Sequence, residues 1–256
     1  MIFGLLFFRR MPRAFMLILL FITVFLLAFL LLGCTKESST YSSIFILKYK
    51  YDPDSSLFPL IQNAYKGENL TGYEDMEVRA NYLGICVSLD GEKSCSRRTD
   101  VSQFQNITGV NVYAQNSNSS TSLDLVALAS ELSNEVIHPQ VLIATLVLSL
   151  VLMLTLFYVV VPGLPGKSYI NKLNLVLAPM LALLWGLGAM WAHVAGNSEK
   201  TMVELSSMGI IKAHIGKKAE AMTWTPFAFM MMVAVGVVSL YLRDLHDIIE
   251  AVDPKV

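Results

Sequence analysis

"AFMLILLFITVFLLAFLLLG", residues Ala14 to Gly33, decides what kind of fold this chain can adopt. The stretch is 20 residues long and holds no Asp, Glu, Lys or Arg. As a helix it measures about 30 Å, the thickness of a bilayer's hydrocarbon core. Arg9, Arg10 and Arg13 precede it, and basic residues beside an apolar span mark the cytoplasmic side. The stretch has a rival reading. Arginines before an apolar run also open a signal peptide, and "LLGC" at Leu31 to Cys34 resembles a lipoprotein cleavage box. The run exceeds the roughly 7–15 residues of a signal-peptide core, so an uncleaved span is the expectation.

Three more segments of this kind follow: 141–161, 173–194 and 224–242, again without Asp, Glu, Lys or Arg. Across all 256 residues 54% are hydrophobic and 15% charged, whereas soluble domains run near about 25% charged. With residues 1–13 cytoplasmic, four spans (14–33, 141–161, 173–194, 224–242) place 34–140 and 195–223 outside. The loop 162–172 and the tail 243–256 fall inside. Lys167 and Lys172 agree with that orientation; Lys200, Lys212, Lys217 and Lys218, placed outside by parity, pull against it. Asn69-Leu-Thr71, Asn106-Ile-Thr108 and Asn118-Ser-Ser120 are N-glycosylation acceptor patterns, and all three lie in the long loop. They fit a secretory route and an external loop.

That loop has structure of its own. Ser43 to Asp52, "SIFILKYKYD", and Val78 to Leu89, "VRANYLGICVSL", read as strands, the second followed by an Asp90-Gly91 turn. Thr108 to Gln115 is a third candidate. Leu125, Leu128, Leu132 and Val136 recur at helical spacing, and His138-Pro139 marks a restart before the second span. The expected fold is an α-helical membrane protein, a four-transmembrane-helix bundle with a small extracellular β-sheet.

Two of the chain's 3 cysteines, Cys86 and Cys95, flank the Asp-Gly turn. A strand-turn-strand brings such a pair toward disulfide distance, about 5.5–6 Å between Cα atoms, and an external compartment is oxidising. Free thiols or a metal pair are the alternatives, though two cysteines without nearby histidines make a poor zinc site. Cys34 is left over, to be buried, acylated or paired between chains.

Other chemistry is sparse. No GxSxG, HExxH, CxxC or P-loop pattern occurs, and His138, His193, His214 and His246 are scattered. The chain is expected to be no enzyme and to need no cofactor. A net charge of −1 and the lack of a basic, aromatic-studded stretch argue against nucleic acid. Glu74, Asp75 and Glu77 in "GYEDMEVR" are weak metal candidates. They match no EF-hand, and a solvated acidic turn is the plainer reading. Two small-residue stripes on span three, Ala178/Ala182/Gly186 and Gly188/Ala192/Gly196, suit close packing against two neighbouring helices.

Gly84-Ile85-Cys86, eight residues, then Cys95 is similar to the external-loop signature of claudin-like tetraspanners. The variant here resembles the fungal calcium-regulator and mating cell-fusion family. That pattern is Gly, two apolar residues, Gly, any residue, Cys, and a downstream Cys. It falls on Asn81, Tyr82, Leu83, Gly84, Ile85, Cys86 and Cys95, with Asn81 in place of the first glycine. Asparagine is the next most tolerant residue for left-handed backbone. The resemblance implies a claudin-like bundle in the plasma membrane and roles in low-affinity calcium influx and in membrane fusion or polarised growth during mating. The spans carry no carboxylate to line a calcium path, so a regulator fits better than a pore. The implied partners are the lipid bilayer, a calcium channel or other membrane protein, and a second copy of the chain. The other reading is a structural organiser or adhesion tetraspanner of the cell cortex with no part in ion flux.

Overall fold

The computed structural model describes residues 2–67, 70, 72–98, 100, 104, 110–113, 120–161 and 165–252; for 2–10, 110–113, 120–123 and 247–252 it describes the backbone alone. The chain divides into two compact units.

The first unit comprises Met1–Ala28, Gln140–Ala189 and Met222–Val256. It holds most of α1 (Ile2–Leu32) and α5 (Pro139–Val160), and the apolar parts of α6 (Lys167–Ser206) and α7 (Lys217–Val252). All four helices are long and apolar enough to cross a membrane. Pro139 opens α5, where a missing N–H costs nothing. The apolar residues run all round these helices, as lipid requires. Leu154, Phe157, Leu183, Leu187 and Val235 face outward, while Leu20, Leu27, Leu152 and Leu181 are buried between helices. Trp185 is fully buried, and its indole N–H donates to the Thr223 carbonyl at 3.0 Å. The small residues serve neighbours within the unit. Gly186 faces the ring of Phe227 on α7, and Gly188 faces Val141 on α5. At one end of the unit Arg13 on α1 pairs with Asp244 on α7 at 2.9 Å.

The second unit comprises Phe29–Pro139 and Met190–Ala221. Its centre is a five-stranded antiparallel sheet of β1 (Leu47–Tyr51), β2 (Glu77–Ala80), β3 (Gly84–Leu89), β4 (Glu92–Arg97) and β7 (Ile211–Ile215), in the order β4-β3-β2-β1-β7. A separate hairpin pairs β5 (Val110–Tyr113) with β6 (Ser120–Leu123). In β1 the period of two is plain: Leu47, Tyr49 and Tyr51 are buried and the two lysines between them are not. The core also takes Ile61 and Tyr65 from α3 (Phe58–Gly67), Val78, Ile85, and Leu125 and Ala129 from α4 (Leu125–Glu131). Each such large apolar side chain contributes roughly 1.5–3 kcal/mol by leaving water. Tyr51 and Tyr65 join hydroxyls at 3.1 Å, so neither buries a bare polar tip. Asp124 caps α4, its carboxylate accepting from the Val126 and Ala127 amides at 2.8 and 3.1 Å.

Several details differ from expectation. Val78 to Leu89 is two strands, because Asn81 to Leu83 turn the chain and the Asn81 amide donates to the Gly84 carbonyl at 2.9 Å. The helical spacing through Val136 is kept in two pieces, α4 and a wider turn over Leu132–Val136. The helix of span three is 40 residues long and outlasts the apolar segment 173–194, since no Gly or Pro interrupts Asn197 to Ser206. The segment between spans three and four, expected only as a loop, contributes β7. The alternation of Ile211, Ala213 and Ile215 with Lys212 and His214 is a period-two signal that announces it.

Candidate functional site

The motif residues meet where α1 ends. After Leu32 the chain turns through Cys34, whose φ is +56°. Its amide donates to the Tyr41 carbonyl at 3.0 Å, and its thiol donates to the Ile44 carbonyl at 3.4 Å. Gly84 lies flat against this turn. A Cβ there would collide with the backbone carbonyl of Cys34, so glycine is needed for close approach.

Asn81 sits beside it, 1% exposed. Its side-chain amide donates to the Leu30 carbonyl at 2.8 Å, one of the orphan acceptors at the end of α1. Its own carbonyl accepts from Ser133 at 3.1 Å. The reason for asparagine here differs from the one expected. Among the described residues the non-glycines with positive φ are Cys34, Asp90 and Met208. Asn81 therefore needs no left-handed backbone; its side chain caps a helix and fills space beside Gly33. Tyr82, 4% exposed, continues the buried motif, and burial pushes its phenol well above the usual range.

Cys86 and Cys95 form a disulfide. They stand directly opposite in the β3–β4 register, with Cα atoms 4.0 Å apart. The separation is tighter than the 5.5–6 Å expected because the pair bridges adjacent strands head on. The intervening Asp90-Gly91 turn has φ of +47° and +84°, the two left-handed residues of a tight hairpin. Cys86 Sγ packs 3.6 Å from the Cys34 carbonyl oxygen. Disulfide, Gly84 and Asn81 thus all bear on the few residues that follow α1. Cys34 itself is buried and unbridged, and burial pushes its thiol up to about 12. In that state it is neither a nucleophile nor a ligand.

Two of the three acidic candidates, Glu74 and Glu77, are engaged by their neighbours, and Asp75 lies beside Glu74 in the same short turn, Tyr73–Asp75. Glu74 accepts from the Gly72 amide at 2.9 Å and closes its own turn. Glu77 lies in β2 between Lys48 at 2.8 Å and Arg79 at 3.0 Å. Burial works to raise its carboxyl, but hydrogen bonds from Lys48 and Arg79 outweigh burial and hold it below the usual range. Among the described residues no three His, Cys, Asp or Glu side chains converge as a metal site would require. Asn69, Asn106 and Asn118 lie outside the described residues.

The structure also assembles a groove of about 440 Å³ that draws on distant parts of the sequence. It is lined by Asp124, Ala127, Leu128 and Glu131 on one side and by Val203, Ser206, Ser207 and Ile211 on the other. No basic residue lines it. Glu199 stands nearby and accepts from the Tyr49 hydroxyl at 3.3 Å. Burial raises the Glu199 carboxyl; the Tyr49 hydrogen bond opposes this, and the negative charge of Glu131 adds to it. No local pattern announces this grouping, because its members come from both sides of spans two and three.

A family model described as Ca2+ regulator and membrane fusion protein Fig1 matches residues 63–243, which include the whole motif. The chain is similar to the factor-induced gene 1 protein of Saccharomyces cerevisiae, 36% identical over 266 residues, covering 96% of this chain and 89% of that relative. No solved structure matches it.

Proposed function

Because this chain belongs to the Fig1 family of Ca2+ regulators and membrane fusion proteins, we propose that it regulates low-affinity calcium influx and membrane fusion during mating or polarised growth. The family is one of multi-pass membrane proteins rather than enzymes. In this reading the chain acts as a claudin-like tetraspanner of the plasma membrane, with both termini cytoplasmic and the disulfide-bearing sheet outside. It works as a regulator beside a calcium channel and does not itself conduct.

The observation that carries the reading is the contact of the motif with the end of α1. Asn81 holds the Leu30 carbonyl, and Gly84 leaves no room between the cysteine hairpin and Cys34. A ligand or partner that shifts β3 and β4 therefore pushes on the first residues after a transmembrane helix. That is a physical route from an external event to the membrane. The absence of carboxylates from the span sequences supports regulation over conduction.

Calcium uptake in cells lacking the protein, measured beside a cell-fusion assay, tests this. Reduced uptake and reduced fusion together are the expected result. Intact uptake with disturbed cell-surface assemblies would instead select the organiser reading. Glycan on at least one of Asn69, Asn106 and Asn118, read as a gel shift on enzymatic deglycosylation, tests the external placement of residues 34–140. Protease added to intact cells should leave tags on both termini undigested.

A further inference from the structure

Met208 follows α6 with its backbone in the left-handed region, at φ +53°. Its amide donates to the Leu205 carbonyl at 3.2 Å, and the Gly209 amide donates to the Glu204 carbonyl at 2.9 Å. These two bonds make Met208 the left-handed residue of a Schellman cap, a position usually held by glycine and sometimes by asparagine. A long side chain is strained there. Packing within its own unit does not explain the choice, because Met208 is 81% exposed. A strained residue that serves no core points to a function at the surface.

Met202 and Leu205, just before it on α6, are 67% and 75% exposed. Three residues apart, they share one helix face. Lipid does not reach that face. The apolar segment 173–194 ends 8 and 11 residues before them, which is about 12 and 16 Å of helix. The headgroup layer is only about 5–7 Å deep on each side, and a helix tilt as large as about 40° still leaves Met202 beyond it. An apolar cluster in water marks a protein contact, and methionine adapts to a partner's surface.

The same face adjoins the groove of about 440 Å³, since Ser206, which lines the groove, is one helical turn from Met202. Asp124 and Glu131 line that groove and no base does. Asp124 is occupied as the cap of α4. Glu131 is exposed and, among the described residues, forms no ion pair. Its charge bears instead on Glu199, a second carboxylate. Lys200, the base beside Glu199 on α6, acts on His214 of β7. We propose that Met202, Leu205 and Met208, with this groove, form a docking site for a basic amphipathic segment of a partner protein. The segment's apolar residues cover the three side chains, and a lysine or arginine beside them enters the groove and pairs with Glu131. A purely apolar partner would close over these carboxylates without a counter-charge, which is costly, so charge selects the basic one. The site is independent of the calcium reading.

The test uses the full chain in phosphatidylcholine nanodiscs and a dye-labelled amphipathic peptide of leucine and lysine at helical spacing. Fluorescence anisotropy reads binding, with the signal from empty discs subtracted. One control peptide carries glutamate for lysine, and another carries serine for leucine. The wild type should bind the leucine–lysine peptide about tenfold more tightly than either control. Met208→Gly should weaken that binding about tenfold, as loss of an apolar anchor does. Its melting temperature should stay level or rise, because glycine suits the cap. A merely structural Met208 would not give that pair of results. Glu131→Gln should also weaken binding about tenfold, the loss of one hydrogen bond between charged groups. Wild-type affinity in either variant would overturn the proposal. Equal binding of the serine–lysine peptide would reduce the site to a diffuse acidic surface and overturn it too. Self-association of the wild type in native mass spectrometry that Met208→Gly abolishes would assign the face to a second copy and overturn it equally.

Discussion

The two units of this molecule use the same apolar residue types under opposite rules. In the helical unit Leu187 is 70% and Leu183 67% exposed, and they belong where they are, because lipid is the solvent. In the sheet unit Leu47, Ile61, Val78 and Ile85 are fully buried, and lysines alternate with them on β1. The first unit gains little from burial as such and depends on close helix packing. The second depends on a small core, and small cores need staples. The difference places the disulfide: covalent reinforcement belongs to the unit with water on its outside.

Glycines expose the contrast most sharply. A Cβ at Gly84 meets backbone, which cannot yield, whereas a Cβ at Gly236 meets the end of the flexible Met16 side chain. Gly84→Ala should therefore cost about 3 kcal/mol or more and leave the protein in the secretory pathway. Gly236→Ala should cost no more than about 1 kcal/mol and reach the surface. Surface delivery and thermal melts of the two variants check this. Equal effects would remove the distinction between a rigid and a yielding contact.

Next in size is the disulfide. Closing so short a loop contributes roughly 2–3 kcal/mol, a large share of a stability of about 5–15 kcal/mol. Cys86→Ser, Cys95→Ser and the double variant should be alike, since each breaks one bond. Cys34→Ser should be milder, because it removes one thiol hydrogen bond at 3.4 Å. Melting temperatures that rank the four variants in any other order would contradict this assignment.

The smallest effect concerns Glu199. Its carboxyl is raised in the folded protein above the ordinary value of 4.5. The unfolded chain thus gives up that proton at lower pH than the folded one, and stability falls as pH rises from about 4.5 through the folded value. Glu199→Gln removes the charge while keeping an acceptor for Tyr49. It should melt slightly higher than wild type near neutral pH, with the gap closing below about pH 4.5. A gap that persists in acid would point to packing instead.

The four spans were legible because length and the lack of charge are local properties. So were the Asp90-Gly91 turn and the cysteine pair, whose chemistry is contained in a few consecutive residues. What the sequence hid is long-range. Asn81 reads as a turn residue until Leu30 is placed beside it. Glu131 is remote in the chain from Glu199 and Val203 and comes near them only in the folded unit. Asn174 reads as one polar residue in a greasy helix, and only three-dimensional packing sets its amide against the Thr155 hydroxyl of α5. The break at Asn81 that splits one expected strand into two is hidden because apolar and β-favouring residues run on both sides of it, so the stretch reads as one strand. The alternation of Val78 and Ala80 nonetheless gives way to four consecutive buried residues from Gly84.

The central claim is that the cysteine hairpin, seated on the residues after α1, is the part through which this family member regulates calcium entry. Calcium uptake per molecule at the cell surface, compared between wild type, Cys86→Ser, Cys95→Ser and the double variant, tests it most directly. The account predicts that all three variants lose uptake to the same extent, beyond any drop in surface level. Normal uptake per surface molecule in the three variants would contradict it.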